Sequence, residues 1–147
     1  MRAGFVMTGS AIPASLISAY KATDYRVLEP VAFTMKIGRR SHELEDLYRR
    51  TGARTATVIT AWNPRSEKKT DAENAAAQAS LIADLEAAGL AHLPALGADP
   101  KGEWKGEVSL LVLDATKEAV EALGRNYGQN CIVWVEADAV PVLLFLR

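Results

Sequence analysis

The chain has 147 residues, a formal net charge of -1, 49% hydrophobic residues and 24% charged residues. This composition is typical of a globular protein and excludes the disordered and fibrous classes. The charge is close to zero, so we expect neither wholesale nucleic-acid binding nor attraction to an anionic membrane surface.

Length and cysteine content bound the organisation of the chain. The length fits a single domain over residues 1–147, in which residues 1–10 are predicted to be a disordered tail. Cys131 is the only cysteine, which excludes an internal disulfide and fits a reducing compartment. No apolar run approaches the roughly 20 residues of a membrane span, and the first residues are too weakly apolar for a secretory signal. We therefore expect a cytoplasmic protein.

The first third of the chain predicts a helix, an extended segment and a second helix. Apolar residues recur at helical spacing over 11–22. Residues 27–37 indicate extended structure, in which Pro30 favours an edge strand or two short pieces. Ser41 can cap the next helix, which ends at Gly52.

The remaining chain alternates strands and helices. Thr70 and Glu73 form a capping-box pattern at the start of one helix, and Thr116 can cap the next. The short β-branched or continuously apolar runs predict buried strands. The predicted order is a strand over 55–62, a helix over 70–88, strands over 90–96 and 108–113, a helix over 116–127, and strands over 131–135 and 140–146.

This order predicts an α/β (α+β) fold with a ferredoxin-like split βαβ core. The core is expected to have an antiparallel or mixed sheet with helices mainly on one face. A helix-strand-helix segment extends it at the N-terminus, and a further strand extends it at the C-terminus. In this arrangement the strand near 131–136 runs antiparallel to the strand near 56–62. The competing hypothesis is a three-layer fold with a mostly parallel sheet.

The ferredoxin-like order brings three separated segments to one end of the sheet. They are residues 62–64, 97–107 and 128–130, and the helix opened by Thr70 begins at the same end. Asn74 and Gln78 lie on the stripe of that helix that faces the sheet. We therefore predict a corner at which amide side chains and tryptophans converge.

The corner is a candidate site for a small polar ligand. Amides can read a ligand by directional hydrogen bonds, and a tryptophan can cover a planar part. Asn63 is expected to be held in extended geometry by Pro64. The candidate ligand-binding residues are Trp62, Asn63, Asn74, Asp99, Trp104, Glu107, Gln129 and Asn130.

Each candidate residue also has a structural interpretation. Asn63 can cap the turn before Pro64, and Asn74 can hold the 63–69 loop in place. Gln129 and Asn130 can form an ordinary connection between a helix and a strand. The two tryptophans can serve in packing, and Asp99 fits a turn of the type Asp-Pro-x-Gly.

The reactive residue types give no catalytic signature. A general acid or base at the corner would be Asp99, Glu103 or Glu107, and each can also be a solvated loop charge. Cys131 has no histidine nearby in sequence and is expected to serve in packing. His42 and His92 are isolated, so we predict no metal. The dinucleotide, phosphate-loop and nucleophile-elbow motifs are absent from the sequence, and we predict no cofactor. Whether the protein is an enzyme stays open.

Several motifs together resemble a known family. They are Thr60-Ala61-Trp62-Asn63-Pro64, Glu73-Asn74, Gly97-x-Asp99-Pro100-x-Gly102-x-Trp104 and Tyr127-Gly128-Gln129-Asn130. In this spacing they resemble the bacterial domain of unknown function 3293 family, over residues 16–144. The resemblance implies no established activity. The family usually has glutamates after the tryptophan, and Glu107 is the matching candidate here.

Two functions are compatible with these patterns. The first is a small-molecule site at the corner. The second is a non-catalytic interaction module, including a homodimer formed through a sheet edge or through a face that carries no helices. Nucleic-acid binding is disfavoured because no basic stripe with interleaved aromatic residues is present.

Overall fold

The computed structural model describes residues 12–147. The predicted disordered tail over 1–10 lies outside the described residues. The helices are α1 (Ala14–Ala22), α2 (His42–Thr51), α3 (Asp71–Ala87) and α4 (Lys117–Asn126), with one 3₁₀ turn at Pro64–Ser66. The strands are β1 (Asp24–Val27), β2 (Phe33–Met35), β3 (Ala56–Ile59), β4 (His92–Ala98), β5 (Glu107–Leu113), β6 (Cys131–Val135) and β7 (Val142–Phe145).

The seven strands of residues 12–147 form one sheet in the order β2-β1-β4-β5-β3-β6-β7. Every neighbouring pair is antiparallel. The predicted antiparallel relation between β3 and β6 is confirmed, with Val58 opposite Val133. The competing hypothesis of a mostly parallel sheet is wrong, because the middle strands are joined by a hairpin and the helices cross between strands that are not neighbours.

The helices α3 and α4 pack on one face of the sheet. Leu81 and Leu85 of α3 and Val120 of α4 are fully buried there against alternate residues of the central strands. The predicted capping box at the start of α3 is confirmed, because Thr70 and Glu73 each accept a hydrogen bond from the other's backbone N–H. Local capping and an apolar stripe therefore fix this layer.

Part of the opposite face of the sheet is covered by α2. Leu44, Leu47 and Tyr48 of α2 pack against a second set of buried residues that includes Leu111 and Val133. The expectation of helices mainly on one face, with the other face bare, is therefore wrong. The physical reason is that the apolar stripe of α2 also requires burial, and α3 with α4 already occupy the first face.

The two edges of the sheet are formed by the terminal segments of the chain. Pro30 lies between β1 and β2, which pair as a hairpin, so the prediction of two short pieces is confirmed. At the other edge, the strand predicted at the C-terminus is present as β7 and pairs with β6. β1 lies beside β4, so the N-terminal segment extends the sheet at the β4 edge of the core.

The length and polarity of the helices show whether any of them could span a membrane. Within residues 12–147, every helix is too short or too polar to cross a membrane.

Candidate functional site

The predicted strand over 55–62 ends early, at Ile59, because side chains replace the sheet ladder from Thr60 onward. Three consecutive backbone N–H groups donate to side-chain oxygens. Ala61 donates to Gln78 Oε1, Trp62 to Thr60 Oγ1 and Asn63 to Asn74 Oδ1, each at 2.9 Å. The strand end thus leaves the ladder and turns toward α3 without an unpaired backbone donor.

Asn63 does not adopt the extended geometry expected from the following proline. Its φ is 45° and its ψ is 67°, in the left-handed region that asparagine tolerates better than most residues. The conformation is stabilised by reciprocal bonds: Asn63 Oδ1 accepts from Asn74 Nδ2 at 2.9 Å and from the Lys69 N–H at 3.0 Å. Asn63 Nδ2 in turn donates to Glu107 Oε2 at 3.3 Å. Asn63 therefore links the loop, α3 and the start of β5.

The turn at 128–130 packs directly against the Asn63 loop. Arg65 N–H donates to the Gly128 carbonyl at 2.7 Å. Gly128 has a φ of 68°, and a Cβ built there would lie 3.0 Å from Pro64 Cβ, so the close approach requires glycine. Gln129 Nε2 donates to the Trp62 and Tyr127 carbonyls, both at 3.3 Å. The amide of Gln129 is thus engaged with the backbone.

Asn130 fastens α1 to the sheet. Its Nδ2 donates to the Tyr20 hydroxyl at 2.9 Å, and its Oδ1 accepts from Arg147 at 2.8 Å. The Tyr20 hydroxyl also pairs with Ser66 Oγ at 2.6 Å. Tyr20 is therefore the point at which α1, the 3₁₀ turn and β6 meet.

A cavity of about 560 Å³ lies under α1, on the half of the sheet face that α2 leaves uncovered. Leu16, Ala19 and Tyr20 line its α1 side. The sheet contributes residues from five of its segments to the cavity: Tyr25, Val58, Thr60, Gly97, Glu107, Ser109, Cys131 and Val133. The volume is within the range of cavities that hold small ligands.

Gly97 keeps the middle of the cavity floor open. It is paired with Tyr25 of β1 on one side and with Glu107 of β5 on the other. A Cβ at Gly97 would meet only Thr23 Cγ2 at 3.8 Å and the Glu107 carbonyl at 4.0 Å, which are ordinary contacts. The missing side chain therefore adds to the cavity volume without being required by the backbone.

Glu107 is the acidic group on the cavity floor. The side chain is half-buried, and loss of hydration raises the pKa of its carboxyl, opposed by the hydrogen bond from Asn63. Burial likewise raises the pKa of Tyr25, with a further contribution from Cys131. The pKa of the Cys131 thiol is raised to about 12 by burial and then by the charge of Glu107. Cys131 and Tyr25 therefore stay protonated at neutral pH. Of these three floor residues, Glu107 is the one whose ordinary pKa lies in the acidic range.

The mouth of the cavity carries exposed charges. Lys68, Lys69, Lys105 and Asp71 line it. Lys105 Nζ lies 3.6 Å from Asp71 Oδ2, and both side chains are highly exposed. An ion pair of this kind contributes little because water screens it.

The structure brings together most of the predicted ligand-binding residues. The cavity is lined by Trp62, Asn63, Asn74, Trp104, Glu107, Gln129 and Asn130. Asp99 is not among them, because its carboxylate accepts the Lys101 and Glu103 N–H groups and closes the turn. Trp104 is 40% exposed at the rim.

Sequence reasoning did not find the residues on the roof and the far side of the floor. Tyr20, Tyr25 and Ser109 belong to this group, whereas Gly97 lies in the predicted 97–107 segment. The one available signal was Gly97, since a glycine within a strand often marks a close approach or an open space. The residues of α1 that line the cavity could not be found in this way. The spacing of apolar residues in α1 does not indicate which part of the sheet the helix covers.

Metal binding has no structural support in the described part of the chain. Residues 12–147 contain no group of three or more histidine, cysteine, aspartate or glutamate side chains that could hold an ion.

Comparison with known proteins gives a family. Neither a curated protein nor a solved structure matches the chain. A family model described as "Protein of unknown function (DUF3293)" matches residues 59–132, half of the chain. The matched range begins at the end of β3 and includes Asn63, Asn74, Glu107 and Gln129. The chain therefore belongs to the DUF3293 family.

Proposed function

We propose that the protein binds a small molecule in the cavity beneath α1, with Glu107 as the group that anchors it. The observation that carries the proposal is the half-buried Glu107 carboxyl, oriented by Asn63, inside a cavity of about 560 Å³. A part of a protein that serves only in packing seldom retains a desolvated carboxyl beside an unfilled cavity, because both features lower the stability of the fold. A ligand that fills the space and pairs with the carboxyl would offset both costs.

The amides around the cavity divide into positioning and contact roles. All four amides make hydrogen bonds within the protein. Those of Asn74 and Gln129 go to Trp62, Asn63 and Tyr127, so we assign these two residues to holding the 62–64 segment and the 128–130 turn. The side-chain N–H groups of Asn63 and Asn130 instead donate to the cavity residues Glu107 and Tyr20. Asn63 and Asn130 reach the cavity wall, and Trp62 and Trp104 supply apolar surface near its mouth. This arrangement supports recognition of a ligand with one polar end and an apolar body.

The strand order gives this site its place in the fold. We infer that β3, β4, β5 and β6, in the spatial order β4-β5-β3-β6 with α3 and α4 as crossovers, form a ferredoxin-like core. The end of β3 and the starts of β5 and β6 then lie at one end of the sheet. These are the elements that supply Trp62, Glu107 and Cys131 to the cavity.

The experiment that tests the proposal uses a cavity-filling variant. Thermal melting of the wild-type protein is screened against a library of small metabolites, since a ligand that binds the native state raises the melting temperature. Gly97→Leu should place a side chain in the cavity with an unchanged backbone, and it should abolish the shift caused by each true ligand. Thr34→Leu, an exposed strand position away from the cavity, is the matched control.

The screen has a clear negative outcome. Compounds that stabilise the wild type and Gly97→Leu equally bind elsewhere. If every active compound behaves in that way while Gly97→Leu retains the wild-type circular dichroism spectrum, the cavity is not a ligand site.

A second candidate function is a protein interaction through β7. Val142 is 45% exposed and Phe145 is 41% exposed, and β7 has a sheet neighbour on one side only. An apolar edge strand can pair with a second copy of the chain. Light scattering should then show a dimer that Val142→Lys converts to a monomer, and a monomeric wild type would exclude this function at the concentration tested.

A further inference from the structure

Glu107 is a half-buried acid that lines the cavity. Within residues 12–147, the partner of its carboxylate is the neutral amide of Asn63, which donates to Oε2 at 3.3 Å. Four other acids of the described chain pair with cations, namely Asp24 with Lys36, Glu45 with Arg40, Asp46 with Arg49 and Asp71 with Lys105. Glu107 is thus an acid on a cavity floor without a cation from this part of the protein.

The lysines at the mouth do not supply the missing charge. Burial raises the pKa of Glu107, and the hydrogen bond from Asn63 is what opposes this effect. Lys105 is directed to Asp71, and Lys68 and Lys69 are exposed to solvent. Water and salt screen such exposed charges over about 10 Å. A cation that enters the cavity would therefore meet Glu107 in a drier environment than these lysines occupy.

Aromatic rings line the same cavity. Trp62 and Trp104 lie toward its mouth, Tyr20 lies on the α1 side and Tyr25 lies on the floor. The faces of such rings attract a positively charged nitrogen and also pack well against a planar apolar body. A carboxylate and several aromatic rings around one cavity are the elements that recognise an organic cation.

We infer that the ligand of this cavity is an organic cation, an amine or amidine on an apolar or aromatic body, with Glu107 as its counter-ion. This inference rests on the proposed binding site. The positive nitrogen lies over the floor near Glu107 and Asn63, and the apolar body extends toward Leu16 and Trp62 under α1. Asn63 holds the carboxylate in place, because its own amide is fixed by Asn74.

The inference fixes the sign of the pH dependence. A cation pairs with the ionised form of Glu107, so its affinity rises as the pH rises through the pKa of that carboxyl. The groups that face Glu107 from neighbouring elements are Asn63, Tyr25 of β1 and Cys131 of β6, with the charges of Lys68, Lys69, Lys105 and Asp71 at the mouth. Tyr25 and Cys131 stay neutral over this range because burial raises the pKa of each. An anionic ligand would show the opposite trend, because the ionised carboxyl repels it.

The test uses three probes of matched size on the full chain: phenethylamine, phenethyl alcohol and phenylacetate. Binding is followed by amide NMR shifts of Gly97, Ser109 and Cys131. We expect phenethylamine to bind at millimolar concentration and to bind more tightly as the pH is raised from 4.5, the ordinary pKa of the glutamate carboxyl, toward neutrality. Glu107→Gln should weaken it roughly tenfold or more. Glu103→Gln, on the exposed turn four residues earlier, should leave its affinity unchanged.

The outcomes separate the inference from the proposed function. If phenethyl alcohol or phenylacetate shifts the cavity amide signals more strongly than phenethylamine, the cavity binds ligands. The inference that its ligand is a cation is then wrong. The same conclusion follows if Glu107→Gln keeps the affinity for phenethylamine, or if wild-type affinity for it falls as the pH rises. If all three probes leave the cavity amides unchanged, both the inference and the binding site are overturned. Should Glu107→Gln fail to fold, the pH series on the wild-type protein still tests the cation.

Discussion

Two halves of the same sheet face differ in how they are covered. Under α2, Leu44, Leu47 and Tyr48 are buried against Leu111 and Val133. The covering helix is well terminated: Ser41 Oγ accepts the Leu44 N–H at 3.1 Å, and Gly52 closes the last turn with a φ of 78°. This half is packed as protein cores usually are.

Under α1 the same face is left unfilled. α1 contains no buried residue, and its first turn receives no side-chain cap. The floor beneath it carries Gly97, Ser109 and Glu107, where the other half carries leucine and valine. The half of the face under α2 is therefore packed in a way that favours stability. The half under α1 instead has polar groups around an unfilled cavity. This difference is the reason for which we propose the half under α1 as the functional part of the molecule.

The largest expected difference between the halves is in the cost of removing a leucine. Leu44→Ala should lower the free energy of unfolding by about 2–5 kcal/mol, through lost burial and a new cavity. Leu16→Ala makes the same chemical change on α1 and should cost less than about 1 kcal/mol, since that side chain already borders open space. Urea denaturation measures both, and equal losses would contradict the comparison.

A second prediction concerns the amide that supports the cavity wall. Asn74 is 2% exposed, and its loss leaves the Asn63 N–H without a partner. Asn74→Ala should therefore cost about 1–3 kcal/mol of unfolding free energy. The control is Asn126→Ala at the exposed end of α4, with a change within about 0.5 kcal/mol. A negligible effect of Asn74→Ala would mean that the Asn63 loop is positioned by other contacts.

The sequence predicted much of this frame because the signals involved are local. The capping box at Thr70, the interruption of the extended segment at Pro30 and the buried runs of β5 and β6 each depend on neighbouring residues. Leu85, Leu111 and Val133, which lie in the predicted helix and in two of the predicted buried strands, are all buried. The inward position of Asn74 and Gln78 followed from the 3.6-residue period of α3, and both side chains are buried.

The predictions were wrong for features that are determined by packing between residues far apart in the sequence. The face chosen by α2 depends on which face is already occupied, and no local pattern contains that information. The left-handed backbone of Asn63 depends on Asn74, eleven residues later. The cavity itself is defined by where α1 lies over the sheet, and α1 has too small a buried surface for its sequence to indicate its position.

The third prediction uses the titration of Glu107. Because the folded-state pKa is raised, the stability associated with the neutral carboxyl is present below pH 4.5 and is lost as the pH rises through the folded pKa. Glu107→Gln should therefore gain melting temperature relative to wild type as the pH rises toward neutral, and the gain should vanish in acid. Melting curves across this pH range measure the difference. A gain that is larger in acid would show that ionisation of Glu107 stabilises the fold.

The smallest expected effect is on the reactivity of Cys131. Its pKa of about 12 leaves little thiolate at neutral pH, so iodoacetamide should modify the folded protein more slowly than the urea-unfolded protein. Glu107→Gln removes a nearby negative charge and should increase the folded-state rate by a modest factor. Mass spectrometry of timed samples measures both rates. A folded-state rate equal to the unfolded one would mean that the floor of the cavity is freely open to reagents.

The empty position at Gly97 makes the size of the cavity adjustable one side chain at a time. Its backbone is extended and a Cβ built there makes only ordinary contacts, so alanine fits without strain. Valine and leucine continue the series by adding further atoms to the same Cβ. Such a series measures the size of the bound molecule. The largest side chain at position 97 that still permits binding gives the volume of the cavity that the ligand leaves unused. Substitutions at Gly97 therefore report the size of the ligand, although Gly97 itself contributes no side chain to the site.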